Sequence, residues 1–387
     1  MSVIQPQTQE HLLQIRFLSI SAMYASSRFL TSKFFVWLAL FLIGFPSVLW
    51  YHVTMNTFPV SYQGPRTLWK PQFTAHGNSR CLPETLPQFH EEAAEKRVVC
   101  RKYSPFTTGR ARVATVTAQF GEPKEHYQRA LRTHLLHALV HGTEVRVMCD
   151  AMVDDLWNKP AFILDLLMQE MLKAEKDRLE WIQWVDRDTL ILDQCRPITS
   201  FLPPSDESSL GSWWRRRRRS SSDDVKQLQK NETHMLVTQD WNGLNNGIFL
   251  VRVNAWAIDL FTAILAFRHY RPDVDLPFTE QSAMEHVLGT DEFKDQARYV
   301  PQHWFNGYEQ GGANLFDTRQ NVAGLEELYV RRGDYLVHFA GRDGRSELLK
   351  EWSDMLERQG DVWQEGRVQR DVRAEVKTFW RGLGHRQ

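Results

Sequence analysis

Apolar and polar positions change period several times along the chain, and each change marks an element. The uninterrupted run VATV at 113–116 predicts a strand that ends in the turn Gln119-Phe120-Gly121-Glu122-Pro123. Tyr127, Ala130, Leu131, Leu135, Ala138 and Leu139 then recur at helical spacing, predicting a helix over 125–141, with Gly142 where such a helix stops. Residues 145–148 read as a second strand. Pro160 suits the first turn of a helix over 161–175, with Phe162, Ile163, Leu166, Leu167 and Met171 facing inward. WIQWV at 181–185 is a third strand. Between 205 and 232 the pattern stops, which marks a surface insertion. It resumes as a strand at 247–253, helices at 255–267 and 280–288, and a strand at 335–339. A charged, helix-compatible tail closes the chain over 351–387. Strands alternating with helices predict an α/β fold with a doubly wound, mainly parallel sheet flanked by helices; ligands of such sheets bind at the carboxyl ends of the strands.

The N-terminal part follows another pattern. Residues 34–50, FFVWLALFLIGFPSVLW, carry no charge, and with Tyr51 they read as a transmembrane signal-anchor over 34–51. Bulky Trp50, Tyr51 and His52 stand where a cleavable signal would need small residues. Arg16, Arg28 and Lys33 mark 1–33 as the cytosolic tail, so the rest of the chain is expected in the lumen as a single-pass type II membrane protein. Leu12, Leu13, Ile15, Phe17, Leu18 and Ile20 suggest an interfacial helix, and Met23 is an alternative start. Pro59, Pro65, Pro71, Pro83, Pro87 and Pro105 interrupt any helix over 52–109, which reads as a Pro-rich stem before a globular domain at 110–350.

Charge changes the picture little: 47 Lys and Arg balance 47 Asp and Glu over 387 residues, which argues against a nucleic-acid partner. The run Arg215 to Arg219 is a solvated loop behind a membrane anchor. Asn231-Glu232-Thr233 is a glycosylation sequon usable only in the lumen. The four cysteines, Cys81, Cys100, Cys149 and Cys195, are too scattered for a zinc ribbon; Cys81 with Cys100 is one way to staple the stem, but their pairing is unreadable from sequence.

Candidate chemistry begins with two D-x-D patterns. Asp273 and Asp275 lie between prolines in an expected loop, whereas Asp186 and Asp188 follow an apolar strand, where a sheet presents ligands. Two carboxylates there suit Mn²⁺ or Mg²⁺, which would complete its shell with diphosphate oxygens. His338, in YLVHFAG on a late apolar strand, reads either as a core histidine or as a third ligand favouring Mn²⁺. Asp240-Trp-Asn-Gly-Leu-Asn-Asn-Gly247 offers paired amides for sugar hydroxyls, though an Asn/Gly turn needs no ligand. Glu280 and Gln281 open a helix; Glu280 also fits a first-turn dipole partner.

The motifs VTAQFGEP, His141-Gly142, WNKPAF, EWIQWVDRDTLIL, DWNGLNNGIFLVR, FTEQSAM and LVHFAG, in this order, resemble the fungal and plant α-glycosyltransferases of galactosyltransferase and mannosyltransferase family 34, which includes xyloglucan xylosyltransferases. The similarity spans about residues 113 to 341. It implies a GT-A fold, a type II Golgi membrane enzyme with a luminal catalytic domain, Mn²⁺ dependence, a UDP-sugar or GDP-sugar donor, a glycan acceptor, and retention of the α configuration. By motif, Asp186, Asp188 and His338 would be metal ligands. Gln281, Glu280 and Asn245 would stand at the reacting face. Asn242, Gly243, Asn246 and Gly247 would line the donor and acceptor pocket, with Lys159 and Asp186 near the nucleotide. Arg187, Glu280 and Asp343 depart from the common pattern. The expected reaction is hexose transfer, galactose or mannose, onto a mannose-rich N- or O-glycan. The alternatives are a non-catalytic subunit of a Golgi glycosyltransferase complex, which also fits homo- or hetero-oligomers, and a metal-dependent phosphohydrolase.

Overall fold

The computed structural model describes residues 72–78, 80–83, 87–107, 111–204 and 232–384. The expected cytosolic tail, the expected membrane anchor, the first part of the expected stem and nearly all of the expected 205–232 insertion, with its arginine run, lie outside the described residues. Among the described residues no helix is long and apolar enough to cross a membrane.

The order is β1 (Gln72–His76), α1 (Pro87–Tyr103), β2 (Val113–Ala118), α2 (Glu125–His141), β3 (Glu144–Met148), α3 (Asn158–Met171), β4 (Trp181–Val185), β5 (Thr189–Ile191), β6 (Met235–Asp240) and β7 (Gly243–Arg252). Then come α4 (Ala255–Tyr270), α5 (Glu280–Leu288), β8 (Ala297–Tyr299), β9 (Gly307–Tyr308), α6 (Gly312–Thr318), β10 (Leu336–His338), α7 (Arg345–Arg358) and α8 (Arg373–Gly382). Seven strands form the main sheet in the order β1-β3-β2-β4-β7-β6-β8, and β5-β10-β9 form a second, three-stranded sheet. The main sheet is parallel except where β7 pairs with β4 and with β6. The expected mainly parallel α/β architecture is therefore present.

Every side chain of β4 is buried, because both faces of the central sheet are covered. Ile182 and Trp184 pack with Phe162, Leu166, Leu260 and Phe261 under α3 and α4. Trp181 and Val185 face the other way, toward Phe201, Trp304, Leu336 and Trp380. This alternation fixes register: a slip by one residue would exchange the two faces. Gly142 adopts the left-handed conformation at φ 70° and caps α2 as expected, its N–H donating to Ala138 O.

Two expected boundaries are corrected. The second half of the stem belongs to the domain: β1 pairs in parallel with β3, and Phe89 and Ala93 of α1 pack against α2. Pro87 is the first residue of α1 and Pro105 lies beyond its end, so the prolines bracket a helix instead of breaking it. The disulfides are Cys81–Cys149 and Cys100–Cys195, each tying this region to the core, not Cys81 to Cys100. The C-terminal tail is equally integral, since α7 buries Leu349 and Trp352 and α8 buries Val376 and Trp380.

One face of α2 carries three histidines whose Nε2 atoms meet acceptors on β5 and the segment after it: His134 meets Thr189 Oγ1 at 2.9 Å, His137 meets Arg196 O at 2.9 Å and His141 meets Gln194 O at 2.9 Å. Burial pulls all three below their ordinary value of 6.5, His134 and His141 to about 4. Above 6.5 they are neutral both folded and unfolded. Below it, the unfolded chain takes protons that the fold refuses, so stability falls as pH drops toward 4, by about 1.4 kcal/mol per pH unit for each histidine. Burial holds Asp193 up at about 6 despite the nearby Arg196, so below that pH the fold accepts one proton that the unfolded chain does not, offsetting one histidine. Melting temperature should therefore fall between pH 7 and 5. The fall should be shallower, by about one proton, in His141→Gln, whose amide still reaches Gln194; equal slopes would discount the histidine face.

Candidate active site

At the end of β4 the chain leaves the main sheet and enters the small one, and Asp186 and Asp188 sit on this crossing. Asp186 N–H donates to Gly247 O of β7 at 2.8 Å. Phe339 N–H, just after β10, donates to Asp188 O at 3.0 Å. The antiparallel register of β5 and β10 pairs His338 with Thr189, the residue after Asp188. Three ligand atoms, one each from Asp186, Asp188 and His338, thereby lie within 4.8 Å of one another. His338 Nε2 is 3.6 Å from Asp188 Oδ1.

The imidazole is oriented from behind. Its Nδ1 meets Asn306 Oδ1 at 2.8 Å, while Asn306 Nδ2 donates to Thr238 Oγ1 at 2.7 Å and to Asn245 Oδ1 at 3.0 Å. A carboxamide oxygen accepts only, so Nδ1 carries the proton and Nε2 presents its lone pair toward the carboxylates. Two carboxylates and an imidazole fixed in this tautomer form a donor set that fits Mn²⁺. Gly247 makes the approach possible: a Cβ there would stand 2.3 Å from His338 Cε1 and 3.0 Å from Nε2.

Positive charge backs the acids. Burial alone would raise the Asp188 carboxyl, but Arg345, whose Nη1 lies 3.1 Å from Oδ2, and the His338 ring whenever it carries a second proton pull it below the ordinary range. Asp186 Oδ1 accepts from Trp184 Nε1 at 2.7 Å and lies 3.2 Å from Lys159 Nζ. Lys159 also lies 3.2 Å from Glu280 Oε1 and donates to Asn246 Oδ1 at 2.8 Å. Burial would strip its proton, yet Asp186 and Glu280 raise its pKa instead. Lys159, expected near the nucleotide, thus bridges a metal-ligand candidate to α5.

That helix opens on strained backbone, Thr279 at φ 52°. Glu280 is buried; its Oε1 faces Lys159 and Asn246, and its Oε2 has no hydrogen-bond partner among the described residues. Gln281 Oε1 accepts from Asn246 N–H at 3.1 Å, leaving its amide NH₂ as the half suited to a ligand. Asn245 Nδ2 donates to Asp240 Oδ2 at 2.9 Å and Tyr308 Oη at 2.7 Å, and Asn245 Oδ1 accepts from Gly247 N–H at 3.0 Å, so this amide braces the site. Gly243, the first residue of β7, has φ 101° where the strand leaves the turn, and a Cβ there would stand 2.5 Å from Glu285 Oε1. Asn242 is exposed on the same turn.

The structure thus brings together Asp186, Asp188, His338, Lys159, Asn245, Asn246, Gly247, Glu280 and Gln281, with Asn242 and Gly243 at the hairpin tip. Arg187 points elsewhere, its guanidinium 4.3 Å from the centre of the Tyr127 ring. Asp273 and Asp275 are exposed on a loop, Asp273 paired with Arg271. Unforeseen members are Asn306 and Tyr308, whose only sequence signals are an Asn-Gly pair and flanking aromatics; Asp240, the first residue of the Asn- and Gly-rich motif, braces Asn245 and Tyr308.

The chain resembles known proteins over this stretch. The family model described as galactosyl transferase GMA12/MNN10 matches residues 118–347, a stretch that contains every residue of the site. An alpha-1,2-galactosyltransferase of Schizosaccharomyces pombe is 24% identical over 222 residues, 51% of this chain and 52% of that protein. Xyloglucan 6-xylosyltransferase 4 of Arabidopsis thaliana is 22% identical over 272 residues, 62% of this chain and 47% of that protein. The chain spans about half the length of the curated relatives it matches. Among solved structures, a glycosyltransferase involved in the glycosylation of the major capsid of PBCV-1 aligns with TM-score 0.42 and 14% identity over 62% of this chain and 98% of its own.

Gly247→Ala should push His338 off the carboxylates and weaken Mn²⁺ binding by about 10- to 100-fold, the range seen when a ligand's support is lost. Calorimetric titration of Mn²⁺ checks this. Unchanged affinity would remove His338 from the ligand set.

Proposed function

The chain belongs to the galactosyl transferase GMA12/MNN10 family, and from that premise we propose that it is a retaining α-glycosyltransferase. It moves a hexose, galactose or mannose, from a nucleotide-diphosphate sugar to a mannose-rich N- or O-glycan. The site's convergence carries the reading: Asp186, Asp188 and the bare Nε2 of His338 face one another at the strand ends. The names of the relatives favour galactose, while the xylosyltransferase among them keeps the donor sugar open. The membrane anchor at 34–51 and the luminal sequon support a type II Golgi placement with a GT-A catalytic domain.

In this reading Asp186, Asp188 and His338 hold Mn²⁺, with Mg²⁺ as a weaker substitute. The bound cation supplies Lewis-acid neutralisation of the departing diphosphate. Arg345 adds positive charge beside the same group from the start of α7. Gln281 has committed its carbonyl oxygen to Asn246, which leaves it no nucleophilic atom and favours attack on the face from which the nucleotide departs. Glu280 Oε2, buried without a partner, is suited to a donor-sugar hydroxyl or to the positive charge that grows at the anomeric carbon. Lys159 pairs with Glu280 and holds Asn246 in place. The alternative of a non-catalytic subunit leans on Arg187 and on the run Arg215 to Arg219; the run lies outside the described residues, and Arg187 stacks on Tyr127.

With Mn²⁺ and a panel of UDP- and GDP-sugars, the protein should consume one donor. Asp188→Asn should slow that consumption by more than about 100-fold, beyond the cost of losing an outer-shell partner. A folded protein that consumes no donor on the panel would overturn the reading.

A further inference from the structure

The turn between β6 and β7 carries a large apolar side chain with no duty in the fold. Trp241 is 71% exposed. The turn is held without it: Asp240 Oδ1 accepts from Asn242 N–H at 2.7 Å, Asp240 Oδ2 accepts from Tyr308 Oη at 2.6 Å and Asn245 Nδ2 at 2.9 Å, and Leu244 N–H donates to Glu285 Oε1 at 3.0 Å. A single exposed indole is unremarkable in itself. What distinguishes this one is its place. Its ring meets the Tyr308 ring edge-to-face at 5.4 Å, and Tyr308 meets the His338 ring at 5.9 Å. The indole is therefore two ring contacts from a metal-ligand candidate, on a rigid support, with the exposed amide of Asn242 beside it.

We infer that the exposed face of Trp241 is the platform on which the acceptor saccharide stacks, with Asn242 hydrogen-bonding its hydroxyls. The inference rests on the proposed transferase reading and adds a specificity residue to it. One face of a pyranose ring is a patch of C–H groups with hydroxyls around its rim. An indole matches that patch with a broad surface held by only two rotatable bonds, so little entropy is lost on binding. The hydroxyl that attacks must sit near the donor carbon, and Trp241 is the large exposed aromatic linked by ring contacts to the cation ligands among the described residues.

The test uses α-1,2-mannobiose as probe and the full chain with ¹⁵N-labelled tryptophan. The Trp241 indole N–H is assigned as the signal missing from Trp241→Phe. On titration that signal should move in the unaltered protein. Trp241→Ala should weaken mannobiose binding by about 10-fold, and Trp241→Phe, which keeps an aromatic face, by less than about threefold. Melting curves verify that both variants fold. An indole signal that stays still, equal affinity for the unaltered protein and Trp241→Ala, or no binding by the unaltered protein would each overturn the inference. Failure of the transferase reading is seen separately, as no donor consumed by the unaltered protein.

Discussion

The structure turns on the passage of one short segment between two sheets. Asp186 is still hydrogen-bonded to β7 of the main sheet, and Asp188 is already hydrogen-bonded beyond β10 of the small one. Two carboxylates do not approach each other willingly at low dielectric. Here backbone hydrogen bonds fix the distance before any ligand arrives, and the burial that drives the two sheets together offsets the repulsion. The pairing of β5 with β10 then delivers His338 without a further positioning device.

Neighbouring cations compensate the charge of that segment. Arg345 faces the outer oxygen of Asp188, and Lys159 lies between Asp186 and Glu280. Each cation offsets part of an acid's charge, so the carboxylates tolerate one another before a divalent ion arrives. Lys159 also links the carboxylates to the sugar-reading side, since the same ammonium fixes Asn246. Removing it would leave Asp186 and the buried Glu280 without their shared counter-charge, a larger cost than the loss of one surface ion pair.

Much of this was legible in the chain because periodicity reports burial directly. WIQWV reads as a strand covered on both faces, the apolar stripe with Gly142 gives α2 both its ends, and the ordered motifs around Asp186, Asp188 and His338 mark the site. Three things were not legible. The edge strand β1 and helix α1 hide in a Pro-rich region because Pro87 starts a helix, and the disulfides that anchor them join residues 68 and 95 positions apart. Strand β6 merges with the Asn- and Gly-rich turn that follows it, so the hairpin reads as a single loop. Asn306 and Tyr308 act through strand pairing and side-chain geometry between distant segments, which no local pattern encodes.

The account's central claim is a cation held by two carboxylates and one imidazole. Pulsed electron paramagnetic resonance of Mn²⁺ bound to protein carrying ¹⁵N-histidine measures this directly. One imidazole nitrogen coupling is expected, absent in His338→Gln. Mn²⁺ bound through oxygen ligands alone, or a nitrogen coupling that survives in His338→Gln, would contradict it.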